Sequence, residues 1–351
     1  MPTIYDNWYV EKQKNCILAL VGYCAENNLH GESGNVALSP LCIIGCMAMA
    51  CRGAVNCHDL ENYCWPFTCD SASVKTEYLK QALQKVGPYV TSMPESCKTV
   101  NILMSDREIK ADFKVDMEKY FEAKQYSLNQ WEEVNQLVKE TTQIPKNVLS
   151  REPTATTLIQ AIFFQDQWEM GFLPKNTQPY MFNNEKGERS QVMMMHQQQE
   201  FKCIEIGDVK AVRLGYKTEG VYAWFVMGPR AIYADQALMN FLPLVFGSDD
   251  QYQLPEKIDL RIPRFKAVMN IDLKQAFENT EPKITSIFET GHLGNMSQDE
   301  DERFSTFEHM CYVHVDENGT KAGAVASLCA TRSSKHSPLL FLIFMDALLG
   351  C

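Results

Sequence analysis

A chain of 351 residues with 45% hydrophobic composition can bury a large core, and its length suits one to three domains. Its 33 basic and 44 acidic residues leave a net charge of −11 with no run rich in Lys or Arg, which argues against nucleic acid and anionic membranes as partners. The longest apolar stretches, LCIIGCMAMAC (41–51) and LLFLIF (339–344), fall far short of the ~20 residues a spanning helix needs, so a soluble chain is expected.

The amino-terminal MPTIYDNWYVEKQKN is polar and mixed in charge. The apolar CILALVGYCA after it is closed by Glu26, Asn27 and Asn28 with no small-residue cleavage site, so it reads as a helix core and not as a leader. Apolar spacing predicts helices over 11–27 and 39–53, the second started by Ser39 as cap and Pro40 in the first turn. Between them, HGESGN (30–35) lacks the second glycine of a nucleophile elbow and has no buried strand feeding it. A hydrolase built on Ser33 is therefore disfavoured against a polar loop. Residues 75–86, 111–124 and 132–143 are amphipathic at helical spacing. From about 157 the pattern turns to strands: 157–168, 211–216, 222–228, 257–265, 311–315 and 339–344, several apolar on both faces. No repeat, low-complexity tract or Pro/Gly-rich linker divides the chain, so one mixed domain with large sheets is expected.

Nine of the thirteen cysteines precede residue 100, and Cys42, Cys46 and Cys51 lie within an apolar helical pattern. There is no CxxC pair, and Cys57–His58 is an isolated neighbour pair. Buried reduced thiols in a reducing compartment are the simpler reading, with no metal site and no cofactor.

The carboxyl-terminal DENGTKAGAVASLCATRSSKHSP concentrates small residues: from Thr320 to Ser334 only Lys321, Leu328 and Arg332 interrupt Ala, Gly, Ser, Thr, Val and Cys. A linker is disfavoured because little chain follows. A hairpin at Asn318–Gly319 has a fair turn signal, but its second arm lacks the large β-branched or aromatic residues that hold a strand pair. A strand that lies sometimes in water and sometimes inside a sheet fits best, since small side chains on both faces let it slot between finished strands without overpacking. Asn318-Gly319-Thr320 and Asn295-Met296-Ser297 are also glycosylation acceptor sequons, and a glycan at Asn318 would obstruct such movement.

EHMCYVHVDENGTKAGAVAS resembles the hinge of the serpins, a family of suicide protease inhibitors, with Glu317, Gly319, Thr320, Ala322, Gly323, Ala324 and Ala326 at the hinge positions. NVALSPLCIIGCMAMACRGA (35–54) is similar to the family's second helix, LIQAIFFQDQWEMGF (158–172) to its long central strand, and VMMMHQQQEFKC, AVRLGY and IDLRIPRFKAVMNIDLKQAF continue in order. The resemblance covers nearly the whole chain from about residue 10.

What the resemblance implies is an α+β, single serpin-like domain over 1–351, with three β-sheets, about eight or nine helices and an exposed reactive-centre loop at about 317–337 near the carboxyl end. It implies a sheet-opening region containing Ser39, Cys42, Gln160, Trp168 and His309, with Gln160 where the family prefers Asn and Cys42 where it has a second Ser. Ser39, Cys42, Gln160 and His309 are expected to hydrogen-bond together, the alternative being that His309 is simply a satisfied core histidine. The implied activity is inhibition and not catalysis: a serine protease acylated at the loop is trapped when the freed hinge inserts as a new strand. The scissile bond falls at Arg332–Ser333 or Ser333–Ser334. Arg332 is favoured because a guanidinium suits the acidic primary pocket of a trypsin-like protease. A non-inhibitory carrier, storage or chaperone role is the rival.

The family comparison also leaves a short end. Only about five residues separate the scissile bond from Pro338, and the chain stops at DALLGC, so a weakly anchored loop and a native monomer prone to polymerise are expected. A cytoplasmic location is expected, the alternative being secretion without a cleavable signal peptide.

Overall fold

The computed structural model describes residues 7–27, 36–55, 93–183, 189–228, 254–280, 283–289, 292–298 and 302–330, with a few single positions and the short piece 83–88 between them. Helix α1 (Asn7–Glu26) leads to α2 (Pro40–Gly53), which begins as its sequence predicts: Pro40 occupies the first turn and the Ser39 hydroxyl accepts the Cys42 N–H. Strand β1 (Cys97–Met104) follows, then α3 (Ala111–Phe121), the short β2 (Lys124–Tyr126) and α4 (Trp131–Thr142). The strand-rich part contains β3 (Thr157–Gln167), β4 (Gln178–Asn183), β5 (Arg189–Ile206), β6 (Val209–Gly215) and β7 (Tyr222–Met227). It continues with β8 (Leu254–Pro263), β9 (Phe265–Asp272), α5 (Leu273–Asn279), β10 (Phe304–Val315) and β11 (Gly319–Ala330).

These elements form an α+β fold. One sheet has six strands in the order β2-β1-β3-β11-β10-β9. The other follows β4-β5-β6-β7, with β8 paired to β5. Strand β5 is long enough, at 18 residues, to serve two lobes: its first residues, up to Met194, pair with β4, the stretch from Met194 to Cys203 pairs with β8, and its last residues pair with β6. The expected three sheets thus resolve into one six-stranded sheet and a second sheet whose two lobes share β5. Five bounded α-helices, a further helical piece at 83–88 and three 3-10 turns are present among the described residues, where eight or nine helices were expected for the whole chain; most of 56–92 and all of 229–253 lie outside that description.

The first half is less helical than its sequence suggests. CKTVNILM forms β1 because its run from Val100 to Met104 is buried on both faces, a pattern that local periodicity does not distinguish from buried helix. Strand β1 pairs with β3 over eight positions, from Cys97 opposite Phe164 to Met104 opposite Thr157.

The six-stranded sheet divides two cores. On one face, α1, α2 and α5 bury Ile43, Met47, Leu158, Phe277 and Phe307. On the other, α4 covers Val100, Ile159, Ala161 and Met310 with Val134 and Val138. Strand β11 contributes to both: Ala324, Ala326, Leu328 and Ala330 face the first core, and Val325 faces the second.

In this structure the first part of the expected loop is seated in the sheet. Residues 319–330 are a central strand, eleven positions of it paired antiparallel with β3 and eleven with β10. Its small side chains meet packed surfaces on both faces, and burial between two cores is what they permit. The hairpin and the inserted strand are also not alternatives: β10, a turn at 316–318 and β11 form the hairpin, and β3 supplies the second flank that its small-residue arm needs.

Candidate functional site along strand β11

At its first end, β11 leaves a turn held by acidic residues. The Asp316 carboxylate accepts N–H bonds from Asn318 at 2.8 Å and Gly319 at 3.2 Å. The indole N–H of Trp168 donates to the Asp316 carbonyl at 2.9 Å, and the Trp168 main-chain N–H donates to the Asn318 carbonyl at 2.8 Å. The Trp168 ring stacks on Tyr216 with centroids 4.6 Å apart. Tyr216 in turn donates its hydroxyl to Thr320 Oγ1 at 2.7 Å. Burial pushes the Tyr216 phenol up, so the donor keeps its proton.

Glu317 is buried beside this turn. Thr177 donates its hydroxyl to the Glu317 carboxylate at 2.7 Å, and the exposed Arg264 guanidinium stands 3.7 Å away. A buried carboxylate with a hydroxyl donor and a cation is a satisfied anchor for the turn. Gly319 fits here because it has no side chain: a Cβ would overlap the Asp166 carbonyl oxygen of β3. Farther along, a Cβ on Gly323 would overlap the Thr142 carbonyl oxygen at the last turn of α4.

Beneath the middle of the strand, the Ser39 main-chain N–H donates to Nε2 of His309 at 3.1 Å. Nδ1 of the same ring lies 3.0 Å from the Val325 carbonyl. His309 is fully buried, and burial lowers its pKa to about 4, so the ring is neutral at physiological pH. The Cys42 thiol donates to the Gln160 carbonyl at 3.1 Å, and burial holds that thiol well above its ordinary pKa. Cys311 is pushed up to about 12 by the same cause. Neither is a nucleophile at neutral pH.

The expected cluster of Ser39, Cys42, Gln160 and His309 is therefore assembled in part. Gln160 contributes its backbone, but both polar atoms of its amide are buried without a partner, and the side chain lies directly over Gly45 of α2. The longer side chain overshoots the groups that were expected to receive it. Trp168 stands apart from this cluster, eight residues along β3 from Gln160 or about 26 Å at ~3.3 Å per residue, and belongs to the turn.

A profile of the Serpin (serine protease inhibitor) family matches residues 13–343. The chain belongs to the serpin family. Human neuroserpin is 26% identical over 339 residues, covering 86% of this chain and 78% of its own. The structure of cleaved Serpin 42Da superposes with a TM-score of 0.76 at 20% identity, covering 92% of this chain and 90% of that one. Reactive-loop-cleaved human thyroxine-binding globulin gives a TM-score of 0.73 at 18% identity, with coverage of 93% and 98%.

Within this serpin, Glu317, Gly319, Thr320, Ala322, Gly323, Ala324 and Ala326 all lie in the turn or in β11. Arg332, Ser333 and Ser334 lie outside the described residues, as does the rest of the chain beyond Ala330. Sequence reasoning did not single out Tyr216, Thr177, Arg264, Asp316 or Thr142. Tyr216 and Arg264 sit inside family-like motifs, AVRLGY and IPRF, but only their contacts with the turn give them a role.

Proposed function

We propose that this serpin is a suicide-substrate inhibitor of serine proteases, with a trypsin-like enzyme as the favoured target, and not an enzyme itself. The observation that carries the reading is β11: a twelve-residue segment of mostly small side chains fits between β3 and β10 with paired neighbours on both sides. In this reading the segment is exposed as part of a loop over about 317–337 within one domain. The serine of the protease attacks the scissile carbonyl, the amine product leaves, and the acyl-enzyme remains. Residues 319–330 then enter the sheet and carry the acylated protease with them. Each ladder bond gained contributes about 1 kcal/mol net, so a strand of this length makes insertion effectively irreversible.

Arg332 is the favoured primary specificity residue, with the bond at Arg332–Ser333; Ser333–Ser334 is the other register. The protein acts as a monomer, without cofactor, metal, nucleic acid or membrane, and an unfilled sheet gap makes it prone to polymerise by accepting another copy's hinge. None of the nine described cysteines is in a disulfide, which favours a cytoplasmic site of action over leaderless secretion.

Incubation with a trypsin-like protease should give an SDS-resistant covalent complex and a released carboxyl-terminal peptide. Cleavage without a trapped complex, across trypsin-, chymotrypsin- and elastase-like enzymes, would refute inhibition. It would leave the carrier role that the name of thyroxine-binding globulin illustrates for this fold. Arg332→Ala should abolish the trypsin-like preference; a trapped bond mapped to Ser333–Ser334 assigns the other register.

A further inference from the structure

The sequence at the tip of the β10–β11 hairpin combines an exposed Asn318 with Gly319. An Asn–Gly pair has a chemistry of its own. The glycine nitrogen, unshielded by any side chain, attacks the side-chain carbonyl carbon of the preceding Asn. A bond from the Gly319 nitrogen to Asn318 Cγ forms, the Cγ–Nδ2 bond breaks, and ammonia leaves with the proton that nitrogen carried. Water then opens the succinimide at either carbonyl, giving aspartate or isoaspartate. No other reactant is needed.

The seated hinge ties this pair into the turn. The Gly319 nitrogen is bound to the Asp316 carboxylate at 3.2 Å, and the Gly319 carbonyl accepts from the Asp316 N–H at 3.1 Å. The position a Cβ would take on Gly319 overlaps the Asp166 carbonyl oxygen and lies 2.8 Å from Gln167 Cα, so this peptide is packed tightly against β3. A hinge outside the sheet loses the Asp166 and Gln167 walls.

We propose that Asn318 is a deamidation site guarded by insertion, through which an unseated hinge ages into one that no longer fits the sheet. In isoaspartate the former Asn318 main-chain carbonyl becomes a free carboxylate. That carbonyl accepts the Trp168 N–H at 2.8 Å, and in the product this acceptor no longer belongs to the main chain. It also lengthens the chain by one methylene and adds a negative charge beside Asp316 and Glu317. The inference that ageing abolishes function rests on the inhibitory reading; the guarding of the site does not.

The test incubates three samples side by side in mildly alkaline buffer: uncleaved protein, protease-nicked protein and a free peptide spanning residues 312–324. Isoaspartate at position 318 is followed by mass spectrometry, with Asn318→Gln as the blank, and amide hydrogen exchange at Gly319 reports whether the hinge is seated. Any seated form should deamidate about tenfold or more slowly than the peptide, because reaction proceeds only from the opened fraction. Asp316→Ala should raise the seated rate, and an unseated hinge should approach that of the peptide. Equal rates in seated protein and peptide, or an unseated hinge that forms no isoaspartate, overturn the proposal. If Gly319 is protected in both protein forms, hinge movement and with it the inhibitory reading fails, while the ratio to the peptide still decides the guarding.

Discussion

Ser39 donates its main-chain N–H to Nε2 of His309, and because that nitrogen accepts, the ring proton sits on Nδ1, where it is donated to the Val325 carbonyl. One imidazole thereby ties the cap of α2 to β10 and β11, in a tautomer that only the neutral ring provides.

The neutral ring gives a pH dependence with a defined sign. Folding lowers the His309 pKa from 6.5 to about 4, so between these values the unfolded chain binds the extra proton. The contribution is complete above pH 6.5 and is lost as pH falls toward 4, by an amount on the order of 3 kcal/mol. Melting temperatures of the inserted form should fall between neutral pH and pH ~4.5 by more in the native sequence than in His309→Gln. Identical pH profiles would show that His309 does not report on this contact.

Gln160 makes the opposite kind of prediction. Its buried amide has no partner, so desolvation is uncompensated. Gln160→Met, similar in shape and without the amide, should stabilise the inserted form by about 1–3 kcal/mol. A lower denaturation midpoint for Gln160→Met would mean that the amide has a partner that this geometry does not contain.

Gly323 passes directly beneath the carbonyl of Thr142. Gly323→Ala should force the last turn of α4 away from the sheet, leaving protease cleavage of the loop intact while lowering the yield of trapped complex. Ala324→Gly, which removes a methyl on the other face, serves as the comparison. Equal yields for both variants and the parent would remove α4 as the constraint on seating.

Thr320 enters the sheet under the Tyr216 hydroxyl. Thr320→Arg puts a long side chain where the Thr320 hydroxyl meets Tyr216, opposite Asp166, and should convert inhibitor to substrate by obstructing entry of the strand. Tyr216→Phe removes one hydrogen bond, about 1 kcal/mol, and should only slow insertion. The ratio of cleaved protein to trapped complex, measured for both, orders them; an unchanged ratio in Thr320→Arg sinks insertion from this end.

The sequence determined the α2 start at Ser39–Pro40, the strand character after 157 and, through the small residues of 320–330, a segment able to lie between two packed faces. These features rest on local spacing and side-chain size, which are written in neighbouring residues. Tertiary structure decided which neighbours that segment takes. It seated residues 319–330 between β3 and β10, made strand of the run Val100–Met104, to which the sequence pattern assigned no element, and set Gln160 over Gly45 instead of beside His309. It also assembled Trp168, Thr177, Tyr216, Arg264 and Glu317 around one turn from elements far apart in the chain. Pairing, reach and close approach between distant segments depend on the path of the whole backbone, and no local pattern of residue types specifies them.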